Sequence, residues 1–236
     1  MKRLLPVLII AALIFALGCS KDSTNPEENP PEAPQNLEQA VVSVPETAPL
    51  EVQAFAGYVN VFRLQFQFYN SLFTAATNQD PQYQDGKWVW TYSSPQGNLT
   101  ITVKAQTLDN GDQKWEIYFS GTFTGPDTVL TVTNWKAAEG TISADGKRGE
   151  WTVYEYNSTQ VAAHYSWTTA DDGTVTATLE SDIYKYVVVN RPDGSGNVKV
   201  YENDTLVFEA SWNADGSGQW TNYKNNTQGT WGPVAS

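Results

Sequence analysis

Two hydrophobic periods divide the chain. Over residues 50–76, Val52, Phe55, Val59, Phe62, Phe66, Tyr69, Phe73 and Ala76 recur at alternating spacings of three and four, the period of an amphipathic helix. Inside this stretch Phe62, Leu64, Phe66 and Phe68 alternate with Arg63, Gln65 and Gln67 as a strand would. That alternation lasts seven residues whereas the helical period runs for 25, so a helix is expected. Val61, Leu64, Phe68 and Leu72 add a second apolar stripe, which suits a helix enclosed on more than one side. Thr47, ahead of Ala48-Pro49, is the expected N-cap, and Asn78 to Pro81 the expected stop.

From Lys87 onward the period becomes two. Trp88, Trp90 and Tyr92 alternate with Val89 and Thr91, and Leu99, Ile101, Val103 and Ala105 with Thr100, Thr102 and Lys104. Trp115, Ile117 and Phe119 form another such set, as do Val161, Ala163, Tyr165 and Trp167, then Val175, Ala177 and Leu179, then Leu206, Phe208, Ala210 and Trp212. Each reads as a strand with one buried and one wet face. Asp109-Asn110-Gly111-Asp112, Asp145-Gly146, Asp172-Gly173, Asp193-Gly194 and Asp215-Gly216 punctuate the sets and supply the positive φ that tight hairpins need. About ten to twelve strands in an antiparallel meander are expected.

The pattern also repeats. Ala144-Asp-Gly-Lys-Arg-Gly-Glu-Trp matches Ala214-Asp-Gly-Ser-Gly-Gln-Trp, and Pro192-Asp-Gly-Ser-Gly-Asn-Val is a looser third copy. Gly173, Gly194 and Gly216 are spaced 21 and 22 residues apart. With Gly149-Glu150-Trp151 and Gly229-Thr230-Trp231, these hairpins faintly resemble MORN-type repeats in construction.

The first residues obey neither period. Lys2 and Arg3 precede a 14-residue apolar run, Leu4 to Leu17, and then Gly18 and Cys19. A basic start, an apolar stretch short of the ~20 residues that span a bilayer and a small-residue junction describe a secretion signal. Ala16-Leu17-Gly18-Cys19 resembles the lipobox of bacterial lipoprotein precursors, with Ala and Leu in the reverse of their usual order. The resemblance implies cleavage before Cys19, acylation of that residue by several chains and stable attachment to a bilayer. Ser20 in place of Asp further implies sorting to the outer membrane of the bacterial envelope. Ser20 to Asn36, with four Pro, four acids and no large apolar side chain, is expected to be a disordered tether reaching on the order of 50 Å.

Composition narrows the chemistry. One Cys and one His among 236 residues leave no pair for a disulfide, a His-based metal site or a triad. A net charge of −12, which becomes −14 once Lys2 and Arg3 are removed, disfavours nucleic-acid binding. His164 alternates out of phase with Ala163 and Tyr165 and is expected to face solvent. Glu116, Glu150, Glu155 and Glu209 lie among aromatics and are the acids a glycosidase would draw on, Glu155 first because strict alternation places it with Trp151 and Val153. The acidic turns at Asp109, Asn110 and Asp112 and at Asp171 and Asp172 suit calcium less well than they suit hairpins. Asn98, Asn157, Asn203 and Asn225 begin Asn-x-Ser/Thr triplets, which beside a bacterial lipidation signal read as ordinary turns.

The expectation is a mainly β fold: an antiparallel up-and-down meander, barrel-like or strongly curved, with one N-terminal amphipathic helix on its apolar face. Residues 1–18 are the signal peptide, 19–36 the lipidated Cys19 and tether, 37–82 the helix-containing segment and 83–236 the meander of the same domain. The expected function is that of a membrane-anchored, non-catalytic binding or structural module. It would use no cofactor or metal and bind no nucleic acid, with the bilayer and an apolar ligand or envelope protein as partners. The first alternative is a carrier whose pocket is lined by Trp88, Trp90, Trp115, Trp151, Trp167, Trp212, Phe62 and Phe66. The second is a carboxylate-dependent glycan-active enzyme.

Overall fold

A computed structural model describes residues 29–34, 44–94, 98–124 and 129–233; the side chains of residues 58–66 lie outside the described set. Cys19 and residues 1–18 are likewise outside it. Of the expected tether, residues 29–34 are described; they have no regular structure, and Pro34 is buried.

Among the described residues one helix, α1 (Leu50–Thr77), precedes thirteen strands: β1 (Gln82–Gln84), β2 (Lys87–Ser93), β3 (Leu99–Thr107), β4 (Gln113–Thr124), β5 (Val129–Ile142), β6 (Arg148–Tyr154), β7 (Val161–Thr169), β8 (Val175–Glu180), β9 (Tyr184–Asn190), β10 (Gly196–Glu202), β11 (Thr205–Trp212), β12 (Gly218–Asn222) and β13 (Thr227–Trp231). Every strand pairs with its neighbours in sequence, giving the expected up-and-down meander. The ladder is open rather than closed into a barrel, with β1 and β13 as its two edges. β1 offers only three residues, all exposed, too little to close a ladder.

The helical period wins over the embedded alternation throughout residues 50–77. Pro49 rather than Thr47 takes the cap position, because its carbonyl accepts the first helical N–H groups, those of Val52 and Gln53, both at 3.0 Å. Proline suits this place, since its missing N–H would have had no helical partner. The Gln53 amide folds back to donate to the Ala48 carbonyl at 2.8 Å.

The chain divides into two compact units. The first takes in residues 65–146 and 151–162, the second residues 147–150 and 163 onward, with the N-terminal part of α1 belonging to the second and the part from Gln65 to the first. In the first unit Tyr69, Leu72, Phe73 and Ala76 are buried at the i, i+3, i+4, i+7 spacing. Phe73 meets Trp115 edge-on at 5.1 Å and Trp151 at 5.3 Å, and Trp115 stacks on Trp90 at 5.8 Å. The Tyr92 hydroxyl donates to the Leu72 carbonyl at 2.9 Å, tying β2 to the helix. In the second unit Val52 and Ala56 are buried and Phe55 stacks on Phe208 at 4.0 Å.

Alternation matches burial in most strands, and β11 is among those that depart from it. Leu206 is half-exposed while Val207 and Phe208 are both buried. A bulge opposite Val200/Tyr201 inserts one residue, and an extra residue turns the side chains on either side of it to opposite faces.

The Asp-Gly turns share one construction. At 108–112, 170–174, 191–195 and 213–217 the first residue's N–H donates to the fifth carbonyl and the fourth residue, a Gly, donates back to the first. Those glycines sit at φ 82 to 85, the left-handed position that ends a type I turn in a three-residue hairpin loop. Within the second unit all three such turns join an odd strand to the next even one, so they lie at the same end of its ladder.

The repeat has a packing basis. In each copy the glycine at the start of the returning strand is covered by a tryptophan of the next strand. Trp167 covers Gly149, Trp212 covers Gly196 and Trp231 covers Gly218. Trp212 and Trp231 also donate to turn carbonyls, those of Gly194 at 3.1 Å and Gly216 at 2.6 Å. The first copy carries an extra residue between its turn glycine and its covered glycine, and there the Trp167 indole N–H has no partner among the described residues.

Candidate functional site

The tryptophans expected to line an apolar pocket are all on the buried faces of their strands. Trp88, Trp90, Trp115, Trp151, Trp167 and Trp212 are all buried. Trp115 and Trp151 lie against Phe73, Trp90 against Trp115, Trp88 against Tyr83 at 5.1 Å, and Trp167 and Trp212 against glycines. Phe62 and Phe66 lie outside the described side chains, as does Cys19. The charged and polar side chains gather on the polar faces of the two units.

In the first unit five strands, β2 to β6, bring charged and tyrosine side chains together. Lys87 of β2 meets the Glu116 carboxylate of β4 at 2.8 Å, and Glu116 is buried. Glu139 of β5, the cross-strand partner of Glu116, meets Lys136 at 2.9 Å and Lys114 at 3.3 Å and accepts a hydrogen bond from the Tyr154 hydroxyl. Lys104 lies over the Tyr118 ring at 4.6 Å. Lys136 and Glu139, three residues apart, would point to opposite faces of a regular strand. A bulge at Ala137 puts them on the same face and buries Ala137 and Ala138 together.

Burial works to raise the Glu139 carboxyl, but hydrogen bonds from Tyr154 and Lys136 and the charges of Lys136 and Lys114 outweigh it and hold the pKa at about 2, below its ordinary 4.5. A glycosidase acid needs the opposite shift, so Glu139 cannot act as a proton donor near neutrality. The depressed value instead makes the cluster a source of stability that is present above pH 4.5 and lost as pH falls toward 2. Glu139→Gln is therefore expected to cost about 1 to 2 kcal/mol at pH 7. In urea unfolding at stepped pH, wild type and variant should converge toward pH 2; a gap independent of pH would contradict the assignment.

In the second unit β10, β11 and β12 align two polar rungs, Asn197–Ser211–Gln219 and Lys199–Glu209–Thr221. They line a groove of about 300 Å³, with Val198, Ala210 and Trp220 of the same strands completing the lining. Glu209 accepts the Tyr223 hydroxyl at 2.6 Å, and the Tyr223 N–H donates to the Val207 carbonyl at 2.9 Å. Tyr223 is 43% exposed, so its ring is held in place yet open to solvent. Asn197, Lys199, Ser211, Gln219 and Thr221 make no side-chain hydrogen bond or ion pair among the described residues.

The chain matches no known protein family and no curated protein.

The remaining candidates take structural places. His164 is exposed. Glu155 lies just past β6, where its N–H donates to the Gln160 carbonyl at 2.8 Å, and it is half-buried. Glu150 is exposed, whereas Glu209 lines the groove. Asp172, Asp193 and Asp215 each accept the N–H two residues on, at 2.8 to 2.9 Å, and their exposed carboxyls are held below the usual range by hydrogen bonds from Thr174, Ser195 and Ser217. That is turn stabilisation. The lysines of the cluster and the rungs of the groove were not singled out by sequence reasoning. The available signal was the polar half of each alternation, which marks a wet face but not which wet residues meet.

Proposed function

We propose that this protein is a bacterial envelope lipoprotein, anchored to a bilayer through acylated Cys19 and acting as a non-catalytic binding or structural module. The Ala16-Leu17-Gly18-Cys19 junction behind a basic, apolar leader supports the anchor. The groove across β10–β12 carries the binding part of the reading: most of its polar side chains are unpartnered, while the buried aromatics of the apolar face are used in packing. The carboxylates of the first unit are taken up in ion pairs, Glu116 with Lys87 and Glu139 with Lys136 and Lys114, which suits a structural part for that face.

Expression in bacteria grown with radiolabelled palmitate tests the anchor. The wild-type chain is expected to incorporate label and to partition into the detergent phase on phase separation, and Cys19→Ala to incorporate none. An unlabelled wild type, or a labelled variant, would refute anchoring at Cys19.

A further inference from the structure

The β10–β12 groove belongs to the binding role proposed above, and its chemistry specifies the ligand further. A bound molecule would meet two amides, two hydroxyls, an ammonium and a carboxylate, arranged as two rungs of three across adjacent strands. Amides and hydroxyls both donate and accept, which is what a polyhydroxylated ligand offers in return. The charges of Lys199 and Glu209 cancel, so the groove has no surplus of cations with which to select phosphate or carboxylate. Its lining is too polar for a purely apolar guest.

Beside these groups stands the exposed ring of Tyr223, fixed by its hydroxyl on Glu209 and its N–H on Val207. Tyr223 is not itself a lining residue, but its bond to Glu209, which is, holds an aromatic plane next to the groove that offers a surface for the C–H face of a sugar ring, while the rungs take the hydroxyls. In the first unit, by contrast, lysines, glutamates and tyrosines satisfy one another. A groove of about 300 Å³ is at the small end of ligand sites and matches one or two rings rather than a macromolecular face.

We infer that this groove is a carbohydrate-binding site that takes one or two rings of a neutral glycan, with Tyr223 as the stacking platform and Asn197, Lys199, Ser211, Gln219 and Thr221 as hydrogen-bonding groups. The inference rests on the non-catalytic binding reading. It is independent of whether Cys19 is acylated.

Titration calorimetry on the full-length, detergent-solubilised chain tests it, using maltotriose, cellotriose, chitotriose and mannotriose as probes, each to ~10 mM. At least one is expected to bind with a Kd on the order of 10⁻⁴ to 10⁻³ M. Tyr223→Ala should weaken that binding by roughly tenfold, and Tyr223→Phe, which keeps the ring but loses its tie to Glu209, should weaken it by less. The double variant Ser211→Ala/Thr221→Ala should weaken it severalfold, whereas Thr178→Ala, on the polar face outside the groove, should not. Absence of heat with all four sugars overturns the site. So does binding that is insensitive to these substitutions in variants that melt like wild type. Shorter sugars accumulating in the cell would refute the non-catalytic reading while leaving the site in place.

Discussion

Phe73→Ala is expected to destabilise the protein by about 4 kcal/mol, near the upper end for a single truncation in a core. Phe73 is fully buried on the face of α1 that joins the first unit, and its ring lies 5.1 Å from Trp115 and 5.3 Å from Trp151, both also buried. Truncation removes its transfer energy and leaves a cavity. Two indoles held by strand backbones cannot readily collapse into that space, because Trp115 is already stacked on Trp90. The urea midpoint and melting temperature report the loss; for a chain of this size the melting temperature should fall by roughly 8 to 16 °C. Phe73→Leu, which keeps most of the volume, should cost about 1 to 2 kcal/mol. A loss below about 1 kcal/mol for the alanine variant would mean that the helix is not packed as described.

Gly149→Ala is expected to cost about 3 kcal/mol, although it adds a single methyl group. A Cβ at this position would come within 2.1 to 2.6 Å of three ring atoms of Trp167. Trp167 is 2% exposed and stacked on Tyr165 at 5.6 Å, so its ring cannot swing into solvent without giving up that packing. The same substitution at Gly57, in the helix and with nothing within 4 Å of the added Cβ, should have the opposite sign and stabilise by about 0.5 to 1 kcal/mol. Measuring the two side by side separates the contact from the general effect of replacing glycine. Equal shifts at both positions would refute the covering role of Trp167.

The glycines of the repeat show how far sequence reading reaches. That Ala144-Asp-Gly and Ala214-Asp-Gly begin similar hairpins is visible in the letters, and so is the positive φ their turns require. That Gly149, Gly196 and Gly218 are small because an indole lies on each is not visible. The covering residue is 13 to 18 positions away, on the next strand, and its sequence distance varies with the intervening loop. Leu206 and Thr47 show the other limit. Alternation placed Leu206 in the core until a bulge set by pairing with β10 moved it, and Thr47 looked like a cap until Pro49 took the first helical bonds. Both depend on shifts of one or two residues, to which periodicity is blind.

The candidate sites were less legible than the fold for the same reason. Lys136 and Glu139 read as residues of opposite faces, and only the bulge at Ala137 brings them together around Tyr154. Asn197, Ser211 and Gln219 are ordinary polar residues until register aligns them across three strands.

What the sequence alone determined was the class of the helix and of the strands marked by alternating sets, but not of β5, the longest strand, for which no such set was read. The three-and-four period of residues 50–76, the alternation after residue 87 and the Asp-Gly turns were enough for one helix and an antiparallel meander. Each of these signals is local, arising from how successive side chains leave one backbone. Tertiary structure decided the rest: that the ladder stays open, that a tryptophan of the next strand covers each repeat glycine, and that register aligns the polar groups of β10–β12. Those outcomes depend on register and on which neighbour covers which surface, quantities set between strands and carried by no single stretch of chain.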